Sequence, residues 1–547
     1  MRRLGIVMAV ATATLPLMAA LPANASVSAN ASVSVNAETD PTTEVQQIGP
    51  GQYLADAKTF EISVSDVSVG SIGRRHSVAA VDGALAQPKS VPAARTDLSV
   101  FGPGWQAEFL GGMTSRKLES QNGAILVTDL ASGETDRYEP RGGVAFPGGG
   151  EVNRYEAADG SKISETTRWD SAAGAMRTTI SETIPVDPGS IEEGDEGFTD
   201  ESGDPISAGD LALTYSWEQV GTQGDTWRVT GVGQKAFGAS SVRYDSQGRV
   251  STVTAPAAGD EPGSVLAFHY ATSTTATAAA FGDYAGRLKD ITLSYGSETP
   301  VTVARYGYDA AGLLRTAADT REGVSEQATY AYDSAGRLSS VDSPAQGSWQ
   351  LTFTGQSAAP SATSSTPAPP RPVPTAEPAP VPGGDPTAGG PPPGDLTGDD
   401  ITGTLAYPRH CWAAVHWMWY SRSGCAAWAA HYGWRYPYWK RLPTGYWVVG
   451  INHDHCTKSP DRPSGFDFRS ACDMHDYGYG VIGNTYKGYG YYLDRNRKAE
   501  VDNLFYITLR DWTCTAYRKS GSCKRIAYVY WKFVRAKGNP KNGAKRT

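Results

Sequence analysis

Along residues 50–355 apolar and polar positions alternate with a period of two, in short runs broken by Gly, Asp and Asn, as in SVLAFHY and KDITLSY. Half-buried strands joined by tight turns have this pattern, which predicts an all-β region of hairpins. After residue 355 the pattern disappears. Residues 356–403 mix Pro, Gly, Ser, Thr and Ala and offer no apolar set able to bury a core, as expected of a linker. From residue 404 to 535 the apolar spacing becomes helical. One helix is expected over about residues 468–481, with Pro463, Ser464 and Gly465 leading into it. A second lies within residues 495–512, where Val501, Leu504, Phe505, Thr508 and Trp512 make a buried stripe, and a third carries Ile526, Val529, Tyr530, Phe533 and Val534.

The chain begins like an export signal, residues 1–25: Arg2 and Arg3, an apolar run from Leu4 to Leu21, then Ala23-Asn24-Ala25 as a small-residue cleavage site. An N-terminal anchor is the competing reading of that run. No later stretch reaches the ~20 apolar residues that span a bilayer, so a secreted, extracellular protein without a transmembrane segment is expected. Residues 26–49 read as a variable segment, and 536–547 as a basic tail.

Within the β-region a unit recurs: Tyr244-Asp245-Ser246-Gln247-Gly248-Arg249-Val250, Tyr308-Asp309-Ala310-Ala311-Gly312-Leu313-Leu314 and Tyr332-Asp333-Ser334-Ala335-Gly336-Arg337-Leu338, with a degenerate copy at Asp283–Leu288. Its glycine suits a turn with positive φ, and its Tyr and Leu can pack between successive hairpins. These units resemble the YD repeats of Rhs-type proteins, and Phe101-Gly102-Pro103-Gly104-Trp105 resembles a segment of the same family. The resemblance implies a hairpin sheet that curls into a scaffold ahead of a C-terminal effector. The region is short for a closed shell and shows no Asp-Pro self-cleavage motif of the sort that releases effectors at the shell's end, so neither enclosure nor autoproteolysis is expected.

Charge and cysteine divide the chain the same way. Residues 405–547 hold 23 Lys and Arg against 9 Asp and Glu, so +14 falls there and −22 on the remainder of a chain whose net charge is −8. A basic domain suits an anionic target, lipid headgroup or nucleic acid. All six cysteines, Cys411, Cys425, Cys456, Cys472, Cys514 and Cys523, lie in the last third. An even number in an exported chain favours disulfides over a zinc site, and composition leaves their pairing open. Nine of the fourteen tryptophans are here too; Trp434, Tyr438 and Trp439 are candidates for an interfacial surface.

The chemistry concentrates in residues 452–480, NHDHCTKSPDRPSGFDFRSACDMHDYGYG. On a helix Cys472 lies one turn before Asp476, and His475 one turn before Tyr479. If Cys456 is joined to Cys472, Asp454 comes within several ångströms of Asp476, and two carboxylates so close call for a cation such as calcium. The His455 carbonyl could add an oxygen. Asp502 borders the buried stripe of the second helix, where a carboxylate requires donors. The His475 imidazole and the Tyr479 hydroxyl would serve, giving a base braced by an acid. Metal-assisted phosphodiester cleavage by a nuclease effector, and a non-catalytic extracellular interaction protein, are the alternatives.

Asp454-His455-Cys456, Gly465-Phe466-Asp467-Phe468, Ala471-Cys472 and His475-Asp476-Tyr477-Gly478-Tyr479, with Asp502 on the next helix, resemble the bacterial and fungal secreted phospholipase A2 family. The resemblance implies an all-α, disulfide-stabilised domain. It implies His475 as the base activating water, Asp502 as its orienting partner, and Ca2+ held by Asp454, the His455 carbonyl and Asp476. It implies disulfides Cys456–Cys472 and Cys514–Cys523, with Cys411–Cys425 as an extra. The reaction implied is hydrolysis of the sn-2 ester of a glycerophospholipid at a membrane or micelle surface, with peripheral membrane contact and no nucleic acid.

Overall fold

The computed structural model describes residues 43–67, 72–81, 84–86, 95–186, 197–200, 202–220, 227–259, 261–321, 326–343, 347–364, 418, 438–450, 455–485 and 498–539. The signal-peptide reading, the Cys411–Cys425 pair, Trp434, Asp454 and residues 540–547 lie outside the described residues, as do the side chains of Tyr438 and Trp439.

Six strands open the described chain: β1 (Val45–Ile48), β2 (Gly51–Leu54), β3 (Thr59–Val67), β4 (Ile72–Val81), β5 (Ala84–Ala86) and β6 (Trp105–Glu108). They form one antiparallel sheet in the order β1-β2-β3-β4-β5, with β6 on β4. The next eighteen, from β7 (Arg116–Gln121) to β24 (Ser361–Ser364), form a second antiparallel sheet closed into a barrel. The all-β region therefore runs from Val45 to Ser364, wider at both ends than residues 50–355. The first strand falls in the segment expected to be variable and the last in the range expected to be linker, because neither four-residue strand is long enough to show alternation. Closure also corrects the expectation that the region is too short for a shell.

The Tyr-Asp units explain the regularity of the barrel. In each turn one aspartate oxygen accepts two backbone N–H groups: Asp333 Oδ1 from Ala335 and Arg337, both at 2.9 Å, and likewise Asp245 and Asp309. The glycine three residues on sits at positive φ, 78° at Gly336, which only glycine adopts without strain. Each tyrosine reaches back one hairpin and donates to a backbone carbonyl: Tyr270 to Val250 at 2.7 Å, Tyr308 to Leu288 at 2.7 Å and Tyr332 to Leu314 at 2.7 Å. In the degenerate copy the tyrosine in this role is Tyr270, not the adjacent Tyr284, so the unit is split by the insertion between them.

Successive strands are antiparallel, so alternate turns lie at opposite ends of the barrel. The Tyr-Asp turns share one end. Residues 95–104 lie across it: Thr96 Oγ1 donates to Gln247 O at 2.9 Å, and Leu288 N to Val100 O at 3.0 Å. A Cβ on Gly102 would stand 2.5 Å from Gly312 O, which accounts for glycine in the Phe-Gly-Pro-Gly-Trp segment. The turns carrying Glu134, Phe237, Gly259 and Arg321 lie at the other end.

That other end holds the C-terminal domain. Its described part begins with a hairpin, β25 (Tyr438–Arg441) and β26 (Trp447–Gly450), and continues with helices α1 (Arg469–Thr485), α2 (Lys498–Ile507) and α3 (Ser520–Lys537). The hairpin departs from the all-α expectation. It packs on α1 so closely that a Cβ on Gly450 would lie 2.9 Å from Asp473 Cβ. A π-helical turn, Thr508–Thr513, prolongs α2. Disulfide Cys514–Cys523 then ties this end to the start of α3. The stripe expected on α2 is buried, and so is its opposite face, including Glu500 and Asn503. Two bodies cover it: on the barrel Arg321 Nη1 lies 4.0 Å from Glu500, and on α3 Trp531 Nε1 donates to Asn503 Oδ1 at 2.8 Å, while α3 itself meets the barrel where Phe198 packs edge to face on Tyr530 and Phe533 at 5.0 and 5.3 Å. Barrel and helical domain share one hydrophobic core and fall in a single compact unit.

Candidate active site

The loop before α1 is fixed by its own backbone. Asp461 Oδ1 accepts Cys456 N at 2.9 Å, Asp461 O accepts Phe468 N at 3.1 Å, and Ser464 and Gly465 both turn through positive φ. Disulfide Cys456–Cys472, with 5.0 Å between Cα atoms, fastens this loop to the first turn of α1. Both described cystines are closed and no free cysteine remains among the described residues, which removes the thiolates a zinc site would need.

One turn along, α1 presents His475 to α2. Its Nε2 lies 2.8 Å from Asp502 Oδ1, and Tyr479 Oη donates to the same oxygen at 2.7 Å. The imidazole packs against the rings of Tyr479 and Phe505, at 4.1 and 4.8 Å between centroids. Asp502 is fully buried. Burial by itself would raise its pKa, but the charge of Lys498 and the hydrogen bonds from His475 and Lys498 outweigh that and hold the carboxyl well below the usual carboxylate range. Burial and the adjacent Asp502 push the Tyr479 hydroxyl far up, so it stays a donor. An ionised Asp502 accepting from Nε2 fixes the imidazole tautomer with its lone pair on Nδ1, where a base would act.

Sequence reasoning missed two members of this site. Lys498 Nζ donates to Asp502 Oδ2 at 2.6 Å and to the carbonyls of Val534 and Arg535 at 3.1 and 3.2 Å. Its four-residue spacing from Asp502 on one helix face was the available signal. Asp473, almost fully buried, takes Lys440 Nζ at 3.0 Å and His455 Nδ1 at 2.8 Å. The hydrogen bond and charge of Asp473 raise the His455 pKa. Nothing in the sequence around Asp473 distinguished it from a surface acid, because its lysine comes from the unpredicted hairpin.

With its ring engaged by Asp473, His455 has a backbone carbonyl that accepts Thr457 N at 3.1 Å and keeps a second lone pair to offer a cation, and Asp476, half-buried on α1, has a carboxylate. Both are hard oxygen donors attached within a few residues of one disulfide, a donor chemistry that suits calcium. Among the described residues no group of three or more His, Cys, Asp or Glu side chains is arranged to hold a metal.

Residues 444–538 match the family model described as prokaryotic phospholipase A2. A "Secretory phospholipase A2" of Arthroderma benhamiae is 37% identical over 91 residues, which are 16% of this chain and 57% of that protein. The chain thus spans a little over half the length of this curated relative. Among solved structures, the TcdB2-TccC3 crystal structure without its hypervariable C-terminal region has 14% identity over 52% of this chain and 13% of that one, at a TM-score of 0.17. The Tc holotoxin pore of Photorhabdus luminescens has 10% identity over 56% and 20%, at a TM-score of 0.14.

Proposed function

From a prokaryotic phospholipase A2 domain at residues 444–538, we propose that this protein is a secreted, calcium-dependent phospholipase A2 that hydrolyses the sn-2 ester of glycerophospholipids. The observation that carries the reading is the bond between His475 Nε2 and buried, ionised Asp502. Nδ1 takes a proton from water as the water oxygen attacks the ester carbonyl. Asp502 steadies the imidazolium so formed, and the proton passes to the departing alkoxide, giving a free fatty acid and a lysophospholipid. Tyr479 and Lys498 hold the Asp502 carboxylate in place during both transfers. Asp454, the His455 carbonyl and Asp476 would hold Ca2+, which when bound supplies positive charge for the substrate phosphate and the developing oxyanion.

The test is fatty-acid release from phospholipid vesicles by the full-length chain, in calcium and in excess chelator. Release is expected only with calcium. His475→Ala should lose turnover while retaining calcium binding by calorimetry, and Asp476→Ala should lose both. Undiminished turnover in either variant, or in chelator, would remove the proposal.

A further inference from the structure

The contacts between barrel and helical domain are sorted by sign. At the barrel end away from the Tyr-Asp turns, Glu261 Oε2 meets Arg535 Nη2 at 2.5 Å. Glu134 Oε1 accepts Gly521 N, in the first turn of α3, at 3.0 Å. Deeper in, Glu108 faces Arg510 Nη2 at 3.6 Å. Acid lies on the barrel in the first two contacts and on β6 of the N-terminal sheet, where Glu108 also pairs with Arg75, in the third; a cation or a helix N-terminus lies on the other side. One ion pair runs the opposite way, Arg321 with Glu500 at 4.0 Å.

Helix α3 has no acidic residue in its first turn and no side-chain cap from Lys519. The N-terminal donors and positive dipole end are met by the barrel's Glu134 instead. Lys524, Arg525 and Arg535 of α3 are all buried, and Arg535 finds its counter-charge across the junction on Glu261 of the barrel. Between the charged contacts Phe198 and Phe237 sit on Phe533. An apolar centre ringed by complementary charge is the anatomy of a binding interface.

We infer that the acidic barrel end is a receptor site for the α2–α3 face, recognising it by these contacts and independently of the linker. The barrel's partner is thus its own cationic helical domain, and a chain severed within residues 366–400 remains a one-to-one complex. This inference does not depend on the ester-hydrolysis reading.

The test uses the full-length chain with a protease site inserted near residue 380, cut after purification and passed over a sizing column at 0.15 M and 1 M NaCl. Co-elution is expected at the lower salt, with dissociation at least tenfold faster at the higher. Two variants probe the contacts: Glu134→Gln with Glu261→Gln, both in turns of the barrel, and Arg535→Gln on α3. Each, first shown to keep the wild-type circular dichroism before cutting, should lose the released domain at least tenfold faster. Should the cut wild-type fragments separate at 0.15 M NaCl, the interface is too weak and the inference fails. Should both variants and high salt leave retention unchanged, the domain is held by enclosure and not by recognition, and the inference fails again.

Discussion

Lys498 spends its three ammonium protons on three acceptors: Asp502 Oδ2 and the last carbonyls of α3. It is the only cation hydrogen-bonded to Asp502 among the described residues. Lys498→Met would leave a buried carboxylate short of its counter-charge, and breaking such a pair costs about 3–5 kcal/mol. A loss of that size in urea unfolding at pH 7 is expected, alongside reduced vesicle hydrolysis; a loss below about 1 kcal/mol would show that the pair is not needed to hold Asp502. Lys532 presents the reverse case. It is 4% exposed, beside Trp531 and Arg535, and burial first and Arg535 second push its pKa down to about 8 from 10.5. In the unfolded chain it holds its proton up to about pH 10.4. Between these values the unfolded state binds more protons, so this group's contribution to stability rises with pH from 8 to 10.5, and below pH 8 the full penalty persists. At about 1.4 kcal/mol per pH unit the penalty at pH 7 is about 3 kcal/mol. Lys532→Met should therefore stabilise the protein by about 2–3 kcal/mol at pH 7 and abolish the gain in melting temperature between pH 8 and 10.

At the scale of elements, legibility followed the reach of the signal. The helices around His475 and Asp502 were readable because their apolar residues recur on one face, and the Tyr-Asp hairpins because one aspartate, one glycine and one tyrosine do local work that leaves a fixed spacing. The hairpin Tyr438–Gly450 was not, because its aromatics, crowded among seven tryptophans, gave no alternation. Nor was the full burial of α2, since Glu500 looks solvent-facing until Arg321 of the barrel meets it, and Asn503 until Trp531 of α3 does. The N-terminus of α3 belongs to the same class: its cap is Glu134, 387 positions away in sequence. Glu134→Ala should lower stability by about 1 kcal/mol, the usual worth of a cap. Hydrogen exchange should locate the change, with faster exchange expected at Gly521–Lys524 and none at the Tyr-Asp turns. Unaltered exchange in the first turn of α3 would mean another group has taken over the cap.

For the whole molecule, the sequence suggested two bodies on a proline-rich tether, with a +14 domain free to meet an anionic surface. The structure redistributes that charge: Arg535 is paired with Glu261 of the barrel, Arg510 with its neighbour Asp511 and with Glu108 of β6, and a buried Gln52 side chain donates to Asp511 O at 2.7 Å. Two tethered bodies would melt separately, each at its own temperature. One core shared by β2, β6, the barrel and all three helices cannot lose the helices without exposing the buried rings of Phe198 and Phe237 and leaving Glu134 and Glu261, half-buried in the barrel turns, without their partners on α3. Calorimetry of the intact chain should therefore show the barrel and helical domain unfolding in one transition. Reducing Cys456–Cys472 and Cys514–Cys523, which lie only in the helical domain, should move that whole transition down, including the β-sheet signal followed by circular dichroism. A reductant-sensitive helical transition that leaves the β-sheet signal in place would mean the shared core does not couple the two.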